Sequence, residues 1–178
     1  MCNTRKSIIN ISPTICKLMG INKPVSSTDE VIDVLINYAF EKLKIKQIEK
    51  CLVFAPDAVG EITYDNYQGH FAGIPDYAPI AIKLTSVYKP VTPVCFASMF
   101  TGALPETHGI IKYEKPVIKI DTIFDTLIRE NKNPAIVSVK DSSIDLIFRN
   151  RKMNYYSENY DTEVIEKTIE LIKENQND

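Results

Sequence analysis

The chain has 178 residues, 44% of them hydrophobic, and 21 Lys+Arg against 23 Asp+Glu leave a formal charge of −2. That length and apolar content suit a single globular domain over residues 1–178 with a real core. The near-neutral balance excludes the general basic field that draws nucleic-acid polymers or an anionic membrane.

Cys2, Cys16, Cys51 and Cys95 lie far apart, with no C-x-x-C pair and no clustered His. Neither a zinc module nor a disulfide framework is indicated, and the four read as reduced thiols, mostly in the core. The first twenty residues carry Arg5 and Lys6, but Asn10, Ser12, Pro13 and Lys17 break up what would be a signal-peptide core. No stretch approaches the ~20 apolar residues of a spanning helix, so a cytoplasmic location without membrane association is expected.

Ser27 and Thr28 offer an N-cap, and Ile32, Leu35, Ala39 and Leu43 recur at helical spacing, so a helix is expected over 29–44. The continuous apolar run 51–55 ends at Pro56 and reads as a strand buried on both faces, as in a parallel sheet. Asp57 then sits just past a strand's carboxyl end. Residues 61–79, with Gly69, Gly73, Pro75 and several Tyr and Asn, read as an irregular covering loop. A short helix over 79–84 and a strand over 86–89 follow.

For residues 92–101 a helix is expected, with Thr92 as cap, Pro93 at the first helical position and Gly102 as the stop. Asp121 can cap a helix reaching Asn131, residues 134–139 and 144–148 read as strands, and a last helix spans 161–173. Strands alternating with helices predict an α/β layered domain with a largely parallel central sheet flanked by helices.

The segment from Thr92 to Ile110 carries the chemistry. Thr92 is followed nine residues later by Thr101-Gly102, then by Pro105 and by His108-Gly109-Ile110. This pattern resembles the nucleophile segment of the alkaline phosphatase superfamily, in particular its nucleotide pyrophosphatase/phosphodiesterase, phosphonoacetate hydrolase and sulfatase branches. The resemblance covers roughly residues 52–110, since members of the superfamily also place a metal-binding Asp after the first core strand, where Asp57 stands. Two positions depart from the pattern: Pro93 directly follows Thr92 instead of coming one residue later, and Tyr113 stands where phosphodiesterase-like members carry an Asn. Residues 11–21 look like the helix found near the carboxyl end of many members, which implies a rearranged order or a chance amphipathic helix.

The resemblance implies a metal-dependent hydrolase of phosphate mono- or diesters. Thr92 would be nucleophile and metal ligand, Asp57 a metal ligand, and two divalent ions, zinc or manganese, would be bound. Elementary chemistry points the same way: a helix N-terminus favours phosphate oxygens, and a Thr hydroxyl needs a metal or a base to become a nucleophile near neutral pH. His70 and His108 are the chain's two histidines, short of the usual three metal-binding ones, so the chain resembles the N-terminal part of a longer domain. A completing C-terminal segment or a homo-oligomer is the expected partner, and a small phosphoester the expected substrate.

Blander readings stand beside these. Thr92 can be a plain helix cap and Asp57 a turn residue; His108 reads as structural, His70 as exposed and Cys95 as core. The pairs Asp121/Asp125 and Asp141/Asp145 read as solvated surface, as do Lys112, Lys115 and Lys119. A non-catalytic alkaline-phosphatase-like module serving as a binding or assembly subunit is the alternative function. A Rossmann-like ligand-binding domain ranks last, because the sequence has no G-x-G-x-x-G and no G-x-x-x-x-G-K-[ST].

Overall fold

The computed structural model describes residues 5–174; Cys2 lies outside the described residues. A single 3-10 turn, Ile8–Asn10, leads into α1 (Ile11–Met19). The entry is tied by Asn10, whose Oδ1 accepts from Ser7 N at 2.7 Å. The exit is made by Gly20, left-handed at φ +64, whose N–H returns to the Cys16 and Lys17 carbonyls.

Next comes α2 (Asp33–Asn37), continued by a π turn over Tyr38–Lys42. It starts later than the expected 29–44 because Ser27 and Thr28 are engaged elsewhere. Thr28 Oγ1 accepts from Glu30 N at 3.2 Å and Ser27 Oγ donates to the Thr28 carbonyl. Ile32 is the cap residue instead, and its N–H donates to Thr14 Oγ1 at 2.8 Å. Ile32, Ile36 and Ala39 are buried, whereas Leu43 falls past the helix and is exposed.

The run 51–55 does not form the expected buried strand. It has no regular secondary structure, no described strand pairs with it, and Leu52, Val53 and Phe54 are 64%, 40% and 74% exposed. The apolar character is there, but the partners a buried parallel strand needs on both edges are not. Residues 61–79 are less irregular than expected, holding α3 (Glu61–Asn66), a 3-10 turn over Gln68–Phe71 and α4 (Ile74–Tyr77). Glu61 pins this excursion by accepting from Arg5 and from Lys83 at 2.7 Å. Neither the helix expected over 79–84 nor the strand over 86–89 forms; a lone parallel bridge between Ser7 and Thr85 takes their place.

From Thr92 onward the chain is densely packed. The remaining elements are α5 (Thr92–Thr101), α6 (Pro105–His108), α7 (Ile123–Arg129), β1 (Ala135–Val139), α8 (Ser143–Ile147), β2 (Asn154–Glu158) and α9 (Asp161–Glu174). β1 and β2 pair in parallel, Ala135 against Asn154 through Val139 against Glu158. The described residues are thus α/β, with helices around a two-stranded parallel sheet. Both β1 and α9 fall where the sequence places them. No described helix is long and apolar enough to cross a membrane.

Two expectations here are corrected. The strand expected over 144–148 is instead the helix α8 (Ser143–Ile147), because Ser142 caps it by accepting from Asp145 N, and the paired strand is β2 further on. Asp121 does not cap α7; Thr122 does, in a reciprocal capping box with Asp125.

The core centres on Phe100, Phe124 and Phe148, whose ring centroids lie 5.2, 5.5 and 5.0 Å apart in pairs. Val94, Ala97, Ile110, Ile123, Ile136 and Ile147 pack around them. Cys16 joins this core, and burial, reinforced by Asp121, pushes its thiol up to about 11, as suits an inert packed thiol.

The acidic pairs are not simply solvated. Asp145, 2% exposed, accepts from Arg149, from Ser157 Oγ at 2.6 Å and from Asp141 N at 2.9 Å. Asp125 accepts from Arg151 Nε at 2.9 Å, and Arg151 also donates to the carbonyls of Phe148, Ile118 and Ile120. Asp121 holds both terminal nitrogens of Arg129, at 2.6 and 2.9 Å. Asp141 alone of the four keeps the exposed position expected for it.

Gly102 stops α5 at φ +69, and a Cβ there would lie 2.1 Å from Ser27 Oγ. Gly102→Ala therefore combines left-handed strain with a collision and should cost about 2–3 kcal/mol, read as a melting temperature lowered by about 5–10 °C. Asp145→Ala leaves the Arg149 guanidinium without its carboxylate and should destabilise by about 3 kcal/mol or more in denaturant titration.

Candidate functional site

α5 determines where Thr92 stands. Pro93, Val94, Ala97, Ser98, Phe100 and Thr101 are all buried, so the helix is fixed along its length and its first residue is delivered at a defined point. Val91, extended at φ −106, is the cap residue, which makes Thr92 the first helical residue and not the cap. Its hydroxyl is therefore not spent on the helix's own amides.

That hydroxyl instead meets Asp57. Thr92 Oγ1 donates to Asp57 Oδ1 at 3.3 Å across a separation of 35 residues, at an exposed position. The two residues singled out from sequence are thus brought together. Asp57 Oδ1 also accepts from Ala58 N at 2.9 Å, so the carboxylate shapes its own turn as well, with Ala58 at φ +57. The turn reading and the site reading of Asp57 describe the same carboxylate.

His108 stands away from this pair and is buried. Its Nδ1 accepts from Ile110 N at 3.2 Å, which puts the ring proton on Nε2, facing Ser98 Oγ at 2.9 Å. Burial lowers its pKa to about 4, against a small opposing pull from Glu106. It is a structural latch between α6 and α5. His70 is exposed, as expected. Cys95 is half-buried with Sγ 3.3 Å from Ser86 Oγ, and Tyr113 is exposed with Lys115 above its ring. Lys112 pairs with Glu114, and Lys115 donates to the Asp141 carbonyl.

Asp57 and Thr92 offer two hard oxygen donors, the right chemistry for a divalent cation but short of the four ligands zinc takes. Among the described residues no group of three or more His, Cys, Asp or Glu is placed to hold a metal ion. The chain's own described residues therefore do not amount to a complete metal site.

A cleft of about 560 Å³ lies elsewhere, lined by residues 117–121, Asp125, Arg129 and 149–151. Neither Thr92 nor Asp57 lines it. Its guanidiniums are already engaged: Arg129 by Asp121, Arg149 by Asp145 and Arg151 by Asp125. The sequence reading missed this network, although the Ser142-Ser-Ile-Asp145 capping spacing and the alternation of Arg149 and Arg151 were visible.

Comparison with protein-family models, with curated proteins and with solved structures finds no match. The geometry of Thr92 and Asp57 accordingly carries the functional reading.

His108 gives a measurable consequence. Its folded pKa, about 4, lies below the ordinary value of 6.5, so between these values the unfolded chain takes up a proton that the native latch refuses. This contribution is complete above pH 6.5 and is lost as pH falls towards 4, amounting to about 3 kcal/mol. Denaturant titrations across that window should show a steeper acid loss for the native sequence than for His108→Asn.

Proposed function

We propose that this chain is the nucleophile-bearing part of a phosphate mono- or diester hydrolase of the alkaline phosphatase type. The observation that carries the reading is the contact between Thr92 Oγ1 and Asp57 Oδ1. A hydroxyl at the start of a rigidly held helix, donating to a carboxylate, is the pairing of nucleophile and activating group that acyl- and phosphoryl-transfer sites share.

In this reading Asp57 accepts the Thr92 proton and orients the oxygen. Thr92 then attacks phosphorus in line with the leaving group, which departs on the opposite side and takes a proton from solvent. Water then cleaves the Thr–O–P ester, leaving its OH on phosphorus and its other proton in solvent, while Asp57 returns its proton to the Thr92 oxygen. The first turn of α5 faces the phosphoryl oxygens with the positive end of its peptide dipoles, although Pro93 contributes no N–H. Zinc or manganese, when bound, supplies Lewis-acid stabilisation of the phosphoryl oxygens and lowers the hydroxyl's pKa. Asp57 and Thr92 are the residues that would face such an ion, with the remaining ligands brought from outside the described set. The layered sheet expected from the sequence belongs to this proposal, with β1 and β2 as two of its strands.

The incompleteness of the donor set favours the second reading, a module that keeps the phosphatase-like arrangement as a binding or assembly surface.

The two are separated by assaying aryl phosphomonoester and phosphodiester turnover with zinc or manganese added, alongside metal titration. Thr92→Ala should lower turnover at least about a thousandfold with circular dichroism and melting temperature unchanged. Equal turnover in both proteins rejects Thr92 as nucleophile. A chain that takes up no metal, turns over nothing and forms a defined complex supports the binding module.

A further inference from the structure

The chain exposes an unpaired segment that has the composition of an interior strand, and it also carries an interior-type strand paired on one edge alone among the described residues. The first is 51–55, Cys-Leu-Val-Phe-Ala, apolar at every position and exposed at Leu52, Val53 and Phe54. The second is β1, Ala-Ile-Val-Ser-Val, with Ile136 and Ser138 buried. Each is five residues long. β2 is different: Asn-Tyr-Tyr-Ser-Glu is the polar composition of a solvent-facing edge.

The hydrogen-bond phase shows which groups of β1 are available. Asn154 N donates to the Pro134 carbonyl and Lys140 N to the Glu158 carbonyl. In a parallel ladder of that phase, the backbone polar groups of Ile136 and Ser138 turn towards β2. Those of Ala135 and Val137 turn to the other edge, where no described strand lies. An apolar strand whose outward amides and carbonyls face no strand is the template to which an extended segment adds.

We propose that 51–55 of one copy adds as a strand to the open edge of β1 in a second copy, and the reverse, forming a two-fold dimer. The segment is held where it stands at both ends: Ile48 N donates to the Leu18 carbonyl of α1 at 2.9 Å, and Asp57 is bound by Thr92. Pairing with another molecule needs neither anchor to release. Each copy offers one segment and one edge, so a reciprocal exchange uses both and closes without leaving a free end for further growth. It covers Leu52, Val53 and Phe54 and satisfies the outward groups of β1 in the same step. This inference stands independently of any chemistry at Thr92.

The test is light scattering on the eluting full chain, combined with amide hydrogen exchange. The expected result is a mass twice the 20.2 kDa protomer, with alternate amides within residues 52–55 and the Val137 amide gaining protection as concentration rises. Leu52→Lys combined with Phe54→Lys, both at exposed positions, should give a monomer with an unchanged circular dichroism spectrum and a melting temperature that no longer rises with concentration, and its Val137 amide should exchange freely. A native chain that stays monomeric to its solubility limit overturns the proposal, and protected alternate amides within 52–55 in that monomer would assign the strand to the same copy. A dimer that survives the double substitution overturns it equally.

Discussion

The burial of α5 is the constraint on which the rest of the structure depends. Val94 and Ala97 are completely enclosed, and Phe100 reaches Phe124 and Phe148, so the helix touches α7 and α8 at one end and the first turns of the chain along its side. A helix apolar over most of its circumference is a core helix, and its polar residues must find partners inside. Thr101 donates to the Ala97 carbonyl at 2.7 Å, and Ser98 meets His108. Gly102 then ends the helix where Ser27 and Pro13 approach too closely for any side chain. What emerges at the open end is Thr92, and its position follows from packing at the other nine positions.

The second half of the chain is fastened by ion pairs more than by sheet. Two strands bury little, and β1 is covered by α8 and α9 on its faces. Arg151 ties α7 to the backbone before and after it, while Arg149 and Asp145 tie α8 to β2 through Ser157. Such pairs are costly to break singly, because the partner left behind remains partly desolvated.

Much of this was legible in the sequence where the signal is local. A helix start at Thr92-Pro93 and a clear stop at Gly102 gave α5, and a short apolar run gave β1. The nine-residue spacing between Thr92 and Thr101-Gly102 singled out Thr92, and the end of the run 51–55 singled out Asp57. Their approach to 3.3 Å is the non-local fact that spacing alone could only suggest. Elsewhere the local signal misled. Residues 144–148 are apolar enough for a strand, yet a cap at Ser142 and the salt bridge from Arg149 to Asp145 make them helical. Residues 51–55 have the composition of a buried strand, but composition cannot supply neighbours. β2 was overlooked because an edge strand carries polar residues that read as loop.

The bond between Thr92 and Asp57 has a stereochemical consequence. A threonine hydroxyl has a single hydrogen, and here it is committed to the carboxylate. Both lone pairs on that oxygen are consequently directed away from Asp57, and rotation about the side chain's first torsion is restrained by the same contact and by the branched Cβ. The folded chain itself thus biases which way the unshared electron pairs of this oxygen face.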